Sequence, residues 1–405
     1  MAVDTNDPQA HYTIISADCH AGGSMDQYRG YLEGRYVDEF DAWRGRYKNP
    51  FRDLQDNKRA RNWDDDRRNA DLEADGQVGE VVFPNTVPPF FPTGAVIARP
   101  PVTKEDLELR WAGLRAHNRW LADWCGRFPE RRAGIAQIFV NDVDAAVEEV
   151  KFAAEHGLRG GVLVPGIPDD VPIEPLYSDV YDPLWRTCEE LGVVVNHHSG
   201  TGMRDYGKHP SATMQWMIET GWFAHRPFWQ VLMSGVFERF PRLKLVLTEQ
   251  GCAWLPGVLR MLDGFHAQMQ AGRVGEMNFA GELNLSLRPS EYFDRNVWLG
   301  VSFPSPEEAT AMAKLGTHKV MWGSDYPHHE GSPPYSRELL RMSFSDWAPE
   351  DLRQVLSGTI AEVYDFDLEA LRPIAERVGP TVEEVATPLD EIPRAATSPA
   401  FRRSA

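Results

Sequence analysis

The chain is short of cysteine, of positive charge and of long apolar runs, and each shortage removes a class of protein. Its 405 residues hold four cysteines, Cys19, Cys125, Cys188 and Cys252, widely spaced and without a C-x-x-C pair. No disulfide framework follows from that spacing, which suits a reducing compartment. Lys and Arg number 42 against 60 Asp and Glu, a formal net charge of −18. Such a surface repels phosphate backbones and anionic membranes, so nucleic acid and membrane are set aside as partners. No stretch reaches the roughly 18 apolar residues of a spanning helix. The opening MAVDTNDPQAHY is polar and lacks the apolar core of a signal peptide, so a cytoplasmic protein is expected. No internal repeat or low-complexity segment is evident.

What is present is apolar mass in a regular rhythm. Hydrophobic residues make up 42% of the chain, with 13 Trp and 19 Phe, enough for a sizeable core. Short apolar runs at residues 12–20, 79–84, 133–140, 160–164, 193–197, 243–249, 296–302 and 319–325 read as strands. Between most of them lie helical patterns with start and stop signals. Asn141 or Asp142 opens one that Gly157 ends; Asp182 and Pro183 open one that Gly192 ends; Ser305, Pro306 and Glu308 open one that Gly316 ends. Apolar strands alternating with helices predict a parallel sheet, and eight of them predict an α/β fold of the (β/α)₈ TIM-barrel type. A doubly wound sheet is the alternative. The expected division is a barrel over residues 1–370, with insertions at about 24–70, 100–128 and 199–225, and an extended tail over 371–405. The tail, with Pro380, Pro388, Pro393 and Pro399, could wrap around its own barrel or a neighbouring subunit of a homo-oligomer.

The stretch IISADCH places Asp18 and His20 two positions apart at the end of the first strand. Alternation puts both on one face, where a carboxylate and an imidazole make half of a divalent-metal site. Three later strands also end in ligand-type residues: VVVNHHSG in His197 and His198, LKLVLTEQG in Glu249, KVMWGSDYPHH in Asp325. In a parallel barrel all these ends converge on one mouth, where active sites lie. Alternation does not choose between His197 and His198. Cys19 should point away from the mouth. The aromatic residues Trp222, Phe223, Phe228 and Trp229, after the strand-five loop, suit either an apolar part of the pocket or core packing.

These residues carry a resemblance. ISADCH, FERFPRLKLVLTEQGCAWLP, MWGSDYPH and VLSGTIAEVYDFD are similar to the strand-one, strand-six, strand-eight and closing-helix segments of the amidohydrolase superfamily, in its amidohydrolase-related, decarboxylase-like branch. The resemblance implies metal ligation by Asp18, His20, His197 and Asp325, the H-x-G/S turn after strand five favouring His197 over His198. It implies a divalent transition metal, zinc, iron or manganese, as one ion or two. His328, after the strand-eight Asp, is expected to hydrogen-bond substrate or structure, while His225 and His329 read as ordinary polar residues. Glu249 stands where many relatives, decarboxylases included, carry His, so it could bridge a second ion, act as acid or base, or orient a ligand. No Lys ends strand four, which removes the carboxylated-lysine bridge of many two-metal members. On that pattern the expected activity is hydrolysis of an amide, ester or thioester carbonyl by metal-activated water, with Asp325, Glu249, His198 and His328 as the catalytic set. A non-oxidative metal-dependent decarboxylase is the alternative, and a non-catalytic binding barrel a third reading.

Overall fold

The structure is a computed structural model and describes residues 7–48, 57–278 and 285–401. The middle of the first expected insertion, residues 49–56, and the last four residues of the tail lie outside the described residues. Eight parallel strands run in sequence order: β1 Ile15–Ala21, β2 Gly79–Pro84, β3 Arg132–Gln137, β4 Gly161–Leu163, β5 Val195–His198, β6 Leu245–Thr248, β7 Val297–Ser302 and β8 Val320–Gly323. The ring closes between β1 and the end of β8, where the Asp325 amide donates to the Asp18 carbonyl at 2.8 Å and the His20 amide to Tyr326 at 2.6 Å. Gly323 permits that closure, since a Cβ there would stand 2.8 Å from the Cβ of Asp18. The fold is the (β/α)₈ barrel expected from the alternation of strands and helices.

One apolar cluster gathers Ile15 and Ala17 of β1, Val81 and Phe83 of β2, Ala133 and Ile135 of β3, Leu163 of β4, Val246 of β6 and Met321 of β8, together with Val194 before β5. Side chains from so many strands meet only inside the barrel. The closing helix Thr359–Tyr364 adds Ile360 and Tyr364 to the same cluster, and Tyr364 donates 2.7 Å to Asn196. A larger cluster packs the outward positions, such as Val82, Val195, Leu245, Leu247 and Leu299, against the surrounding helices.

Strand β1 departs from strict alternation. Its pairing with β2 shifts register between Ser16 and Cys19, a β-bulge. Ile15 and Ala17 face inward, and beyond the bulge Cys19 turns outward to pack with Leu72 and Tyr326. The extra residue therefore rotates Asp18 and His20 into the barrel.

The helices begin and end largely where the cap residues indicate. Asp142 caps Val143–Glu155, Gly192 closes Asp182–Leu191 in the left-handed conformation, and the Ser305 hydroxyl accepts from the Glu308 amide at the start of Pro306–Leu315. The insertions are helical: Met25–Tyr31, Val37–Arg44 and Asp65–Ala74 in the first, Lys104–Cys125 in the second. The helix that follows β5 runs from Ala212 to Met233 with Pro227 inside it. Residues past 370 are less extended than expected. Leu368–Val378 and Val382–Ala386 are helices, and residues 387–401 then run back over the barrel's own surface to its mouth. Among the described residues no helix is long and apolar enough to cross a membrane.

Candidate metal centre and active site

At the C-terminal mouth, Asp18, His20 and His198 bring one ligand atom each within 4.8 Å of one another. His20 Nε2 lies 3.3 Å from Asp18 Oδ1 and 3.3 Å from Asp325 Oδ1, and His198 Nε2 lies 3.5 Å from Asp18 Oδ1. All four residues are buried. Asp18 Oδ1, His20 Nε2, His198 Nε2 and Asp325 Oδ2 have no hydrogen-bond partner. Buried polar atoms are normally satisfied, so four orphans converging on one region need a ligand of their own. The other ring nitrogens are occupied: His20 Nδ1 lies 3.1 Å from the Pro84 carbonyl and His198 Nδ1 2.9 Å from that of Ser199. A proton on each Nδ1 leaves each Nε2 lone pair free, the arrangement of metal-ligating histidines. Imidazole nitrogens mixed with carboxylate oxygens suit a divalent transition metal. The residues fit the ion that the motifs imply.

Strand β5 answers the question its sequence leaves open. Val194 faces the interior while Val193 and Val195 face the helices, so His198 turns inward and His197 outward. His197 Nδ1 contacts the Val164 carbonyl at 3.0 Å, away from Asp18 and His20. The expectation favouring His197 in the cluster is corrected to His198.

Asp325 and Glu249 enter by way of backbone turns, each with positive φ, 62° and 57°, just past the ends of β8 and β6. Asp325 forms a second group with His20 and His328; its Oδ1 lies 2.7 Å from His328 Nδ1, whose Nε2 in turn faces Asn85 Oδ1 at 3.1 Å. Glu249 stands outside the Asp18–His20–His198 trio and groups with Asp325 and Glu330, its Oε2 3.5 Å from His198 Nδ1.

Charge follows this crowding. Burial pushes the Asp18 carboxyl up, but the His198 and His20 rings packed beside it outweigh this and hold the group well below the usual carboxylate range. Burial pulls His20 down, and in the metal-free protein the nearby Asp18 and Asp325 carboxylates more than reverse this, leaving it well above an ordinary histidine. His198 is raised too, against burial, by Glu249 and Asp18. His197, away from those carboxylates, is lowered to about 4 by burial. Burial raises Glu249 to about 7, with His198 opposing and Asp325 and Asp18 adding to the rise.

The mouth opens into a cleft of about 390 Å³ bounded by His20, His198, Glu249 and His328 on one side and Val96, Ile97 and Trp216 on another. Trp216 forms the aromatic wall; of the residues open to either role, Phe223 and Phe228 take the core alternative, and Trp222 is 61% exposed. Two polar groups escaped the sequence reading. Ser302 donates to Asp18 Oδ2 at 2.5 Å, and Asn85 meets His328. Each stands at or just past the end of a strand, β7 and β2, so the rule that found the ligands, applied to all eight ends, would have found both.

Comparison with known proteins follows the same line. The amidohydrolase family profile matches residues 9–366. The chain belongs to the amidohydrolase family. Among curated proteins it is 27% identical over 229 residues to gamma-resorcylate decarboxylase of Rhodococcus jostii, covering 53% of this chain and 65% of that one. The chain thus matches just under two thirds of that relative's length. It is 24% identical over 313 residues to 2-amino-3-carboxymuconate-6-semialdehyde decarboxylase of Dictyostelium discoideum, covering 75% of this chain and 77% of that one. Among solved structures, 5-carboxyvanillate decarboxylase of Sphingomonas paucimobilis superposes with a TM-score of 0.62 at 21% identity, covering 88% of this chain and all of that one. Dihydroxybenzoic acid decarboxylase of Polaromonas sp. JS666, solved with manganese and 2-nitroresorcinol, gives a TM-score of 0.59 at 18% identity, covering 87% and 97%. At these identities the structural likeness speaks for the fold. The chain is an enzyme of this family, and the decarboxylases among its curated relatives overturn the expectation of an amide, ester or thioester hydrolase. The exchange of the strand-six His for Glu249 does not stand against decarboxylation. In the structure Glu249 stands outside the trio that could hold the ion, so the exchange leaves that trio intact.

Proposed function

We propose that the protein is a metal-dependent, non-oxidative decarboxylase of an aromatic or unsaturated carboxylic acid with an oxygen substituent beside the carboxylate. The observation that carries this reading is the buried trio Asp18, His20 and His198 at the floor of a cleft, in a chain whose curated relatives are decarboxylases. Those three residues and Asp325 would hold the ion, and manganese, found in a solved neighbour, is the first to test. When bound, the ion would supply a fixed positive charge that attracts an anionic substrate and offsets the negative charge that develops in the reaction.

The chain's own groups supply the proton. Decarboxylation breaks the bond from the substrate carbon to its carboxyl group, leaves the electron pair on that carbon and needs one proton there. Asp325 is buried, and His328, one quarter exposed, links it to the cleft and to Asn85. We assign proton delivery to the Asp325–His328 pair. Glu249 and Trp216 bound the space in which the ring lies. Manganese-loaded protein should release carbon dioxide from 2,6-dihydroxybenzoate or a related hydroxy acid, and in D₂O the product should carry one deuterium at the vacated carbon. Asp325→Asn should lower turnover by roughly 10²–10⁴-fold. No carbon dioxide above a metal-free control, across such acids, overturns the reading.

A further inference from the structure

The segment that sequence patterning sets aside as tail ends at the active site. Residues past 366 lie outside the family match, yet residues 387–401 return to the mouth. Arg341 holds the Thr387 carbonyl at 2.8 Å and that of Pro388 at 3.0 Å. The Thr397 hydroxyl donates 2.7 Å to the carbonyl of His329, on the turn that carries Asp325 and His328. Ala400 and Phe401 are 6% and 5% exposed, packed with Leu339, Phe303 and Tyr335. Burial of this degree at the end of a long irregular segment marks a docked element, not a solvated one.

Where it docks is informative. Pro399 and Ala400 form one wall of a second cleft, about 270 Å³, whose other walls are Glu249, Ser302, Phe303, Ser305 and Glu308. Glu249 lines this cleft and the main one, and Ser302 joins it to Asp18. The two spaces therefore share one wall residue, a carboxylate beside the candidate metal ligands.

We infer that residues 397–401 are a specificity-determining wall of the active site: Pro399 and Ala400 set how far a substrate substituent can extend past Glu249. Small acids occupy the main cleft alone, and a larger group must use the side cleft, whose depth the tail fixes. This rests on the decarboxylase reading for its substrate, but the wall itself can be tested apart from it.

The four native cysteines are buried, so Ser305→Cys places an accessible thiol in the side cleft. Its labelling by N-methylmaleimide and by the bulkier N-pyrenylmaleimide is compared in the otherwise full chain, in Ala400→Trp, and in a chain ended at Ala386. Ala400→Trp should slow both reagents, and removing the tail should speed the bulky one selectively; equal rates in all three overturn the wall. The second arm measures kcat and KM for 2-hydroxybenzoate and its 3-, 4- and 5-phenyl derivatives with manganese-loaded protein. Ala400→Trp should leave the parent acid unchanged and raise KM for at least one phenyl derivative about tenfold or more, with kcat retained. An unchanged ratio for every derivative overturns the specificity role. If no acid is turned over at all, the decarboxylase reading falls while the labelling still decides the wall. If the shortened chain fails to fold, Ala400→Trp decides both arms.

Discussion

Two buried groups of charge sit on opposite faces of the first two strands, and they are built to opposite ends. Outside the barrel, Glu80 receives three hydrogen bonds from Arg68 at 2.6–3.0 Å, and Arg132 approaches to 3.6 Å. Arg68 also donates to the carbonyls of His20 and Arg61, and its guanidinium lies over the rings of Tyr326 and Trp124. Inside the barrel, Asp18, His20, His198 and Asp325 are equally buried, yet each keeps an atom with no partner. The Arg68–Glu80 pair, with every side-chain nitrogen and carboxylate oxygen bonded, is a fastening; the unsaturated group is a receptacle. Burial and charge alone would not tell them apart, whereas the balance of donors and acceptors does.

The difference can be broken most sharply from the inside. His198→Ala should abolish stoichiometric metal binding and the activity that depends on it, whereas His197→Ala should keep both; elemental analysis of the purified variants reads this directly. The reverse pattern would mean that the outward-facing histidine is the ligand. From the outside, Arg68→Met strips buried Glu80 of all three of its Arg68 hydrogen bonds and leaves it only Arg132 at 3.6 Å, and should cost about 3–5 kcal/mol of stability in urea, with or without chelator. A loss confined to the metal-loaded protein would make Arg68 part of the receptacle.

The smallest effect concerns pH. Asp18 sits well below its ordinary value, so its stabilisation of the metal-free fold is present above about pH 4 and is lost as pH falls. Glu249 has the opposite sign. Its carboxyl is raised to about 7, so the stability linked to it is present below the ordinary carboxylate value and lost as pH rises toward 7. Metal-free Glu249→Gln should therefore melt higher than the metal-free parent at about pH 8 and show no gain at about pH 4. Adding manganese should shrink the difference, because the ion's charge keeps Glu249 ionised. A gain equal at both pH values would place its origin elsewhere.

Much of this architecture is written in residue type. The strand runs alternate with capped helices, and each ligand-type residue stands at a strand end, so the barrel and its mouth follow from pattern alone. The phase of β5 does not. It rests on Asn196 facing inward, where its amide spans the carbonyls of Gly160 and Val162 and accepts from Tyr364, a closing-helix residue far away in sequence. A polar residue in the barrel interior makes the inward face look like the outward one. The tail misleads for a related reason. Its prolines and scattered apolar residues show no period, and its partners Leu339, Phe303 and Tyr335 come together only in the folded mouth. The reaction is a different matter, since one metal site can serve hydrolysis or decarboxylation, and residue types at the ligands do not choose.

The bulge in β1 also decides which donor atoms face the candidate metal centre. Were the alternation of Ile15 and Ala17 to continue unbroken, the next inward side chain would be Cys19, and a thiol would face the candidate centre in place of Asp18 and His20. Sulfur would draw the site toward soft, thiophilic ions such as zinc and copper(I). One extra residue instead turns the thiol outward against Leu72 and Tyr326, where burial holds it protonated. The candidate centre keeps only oxygen and nitrogen donors, and the buried thiol beside it is shielded from metal capture and oxidation.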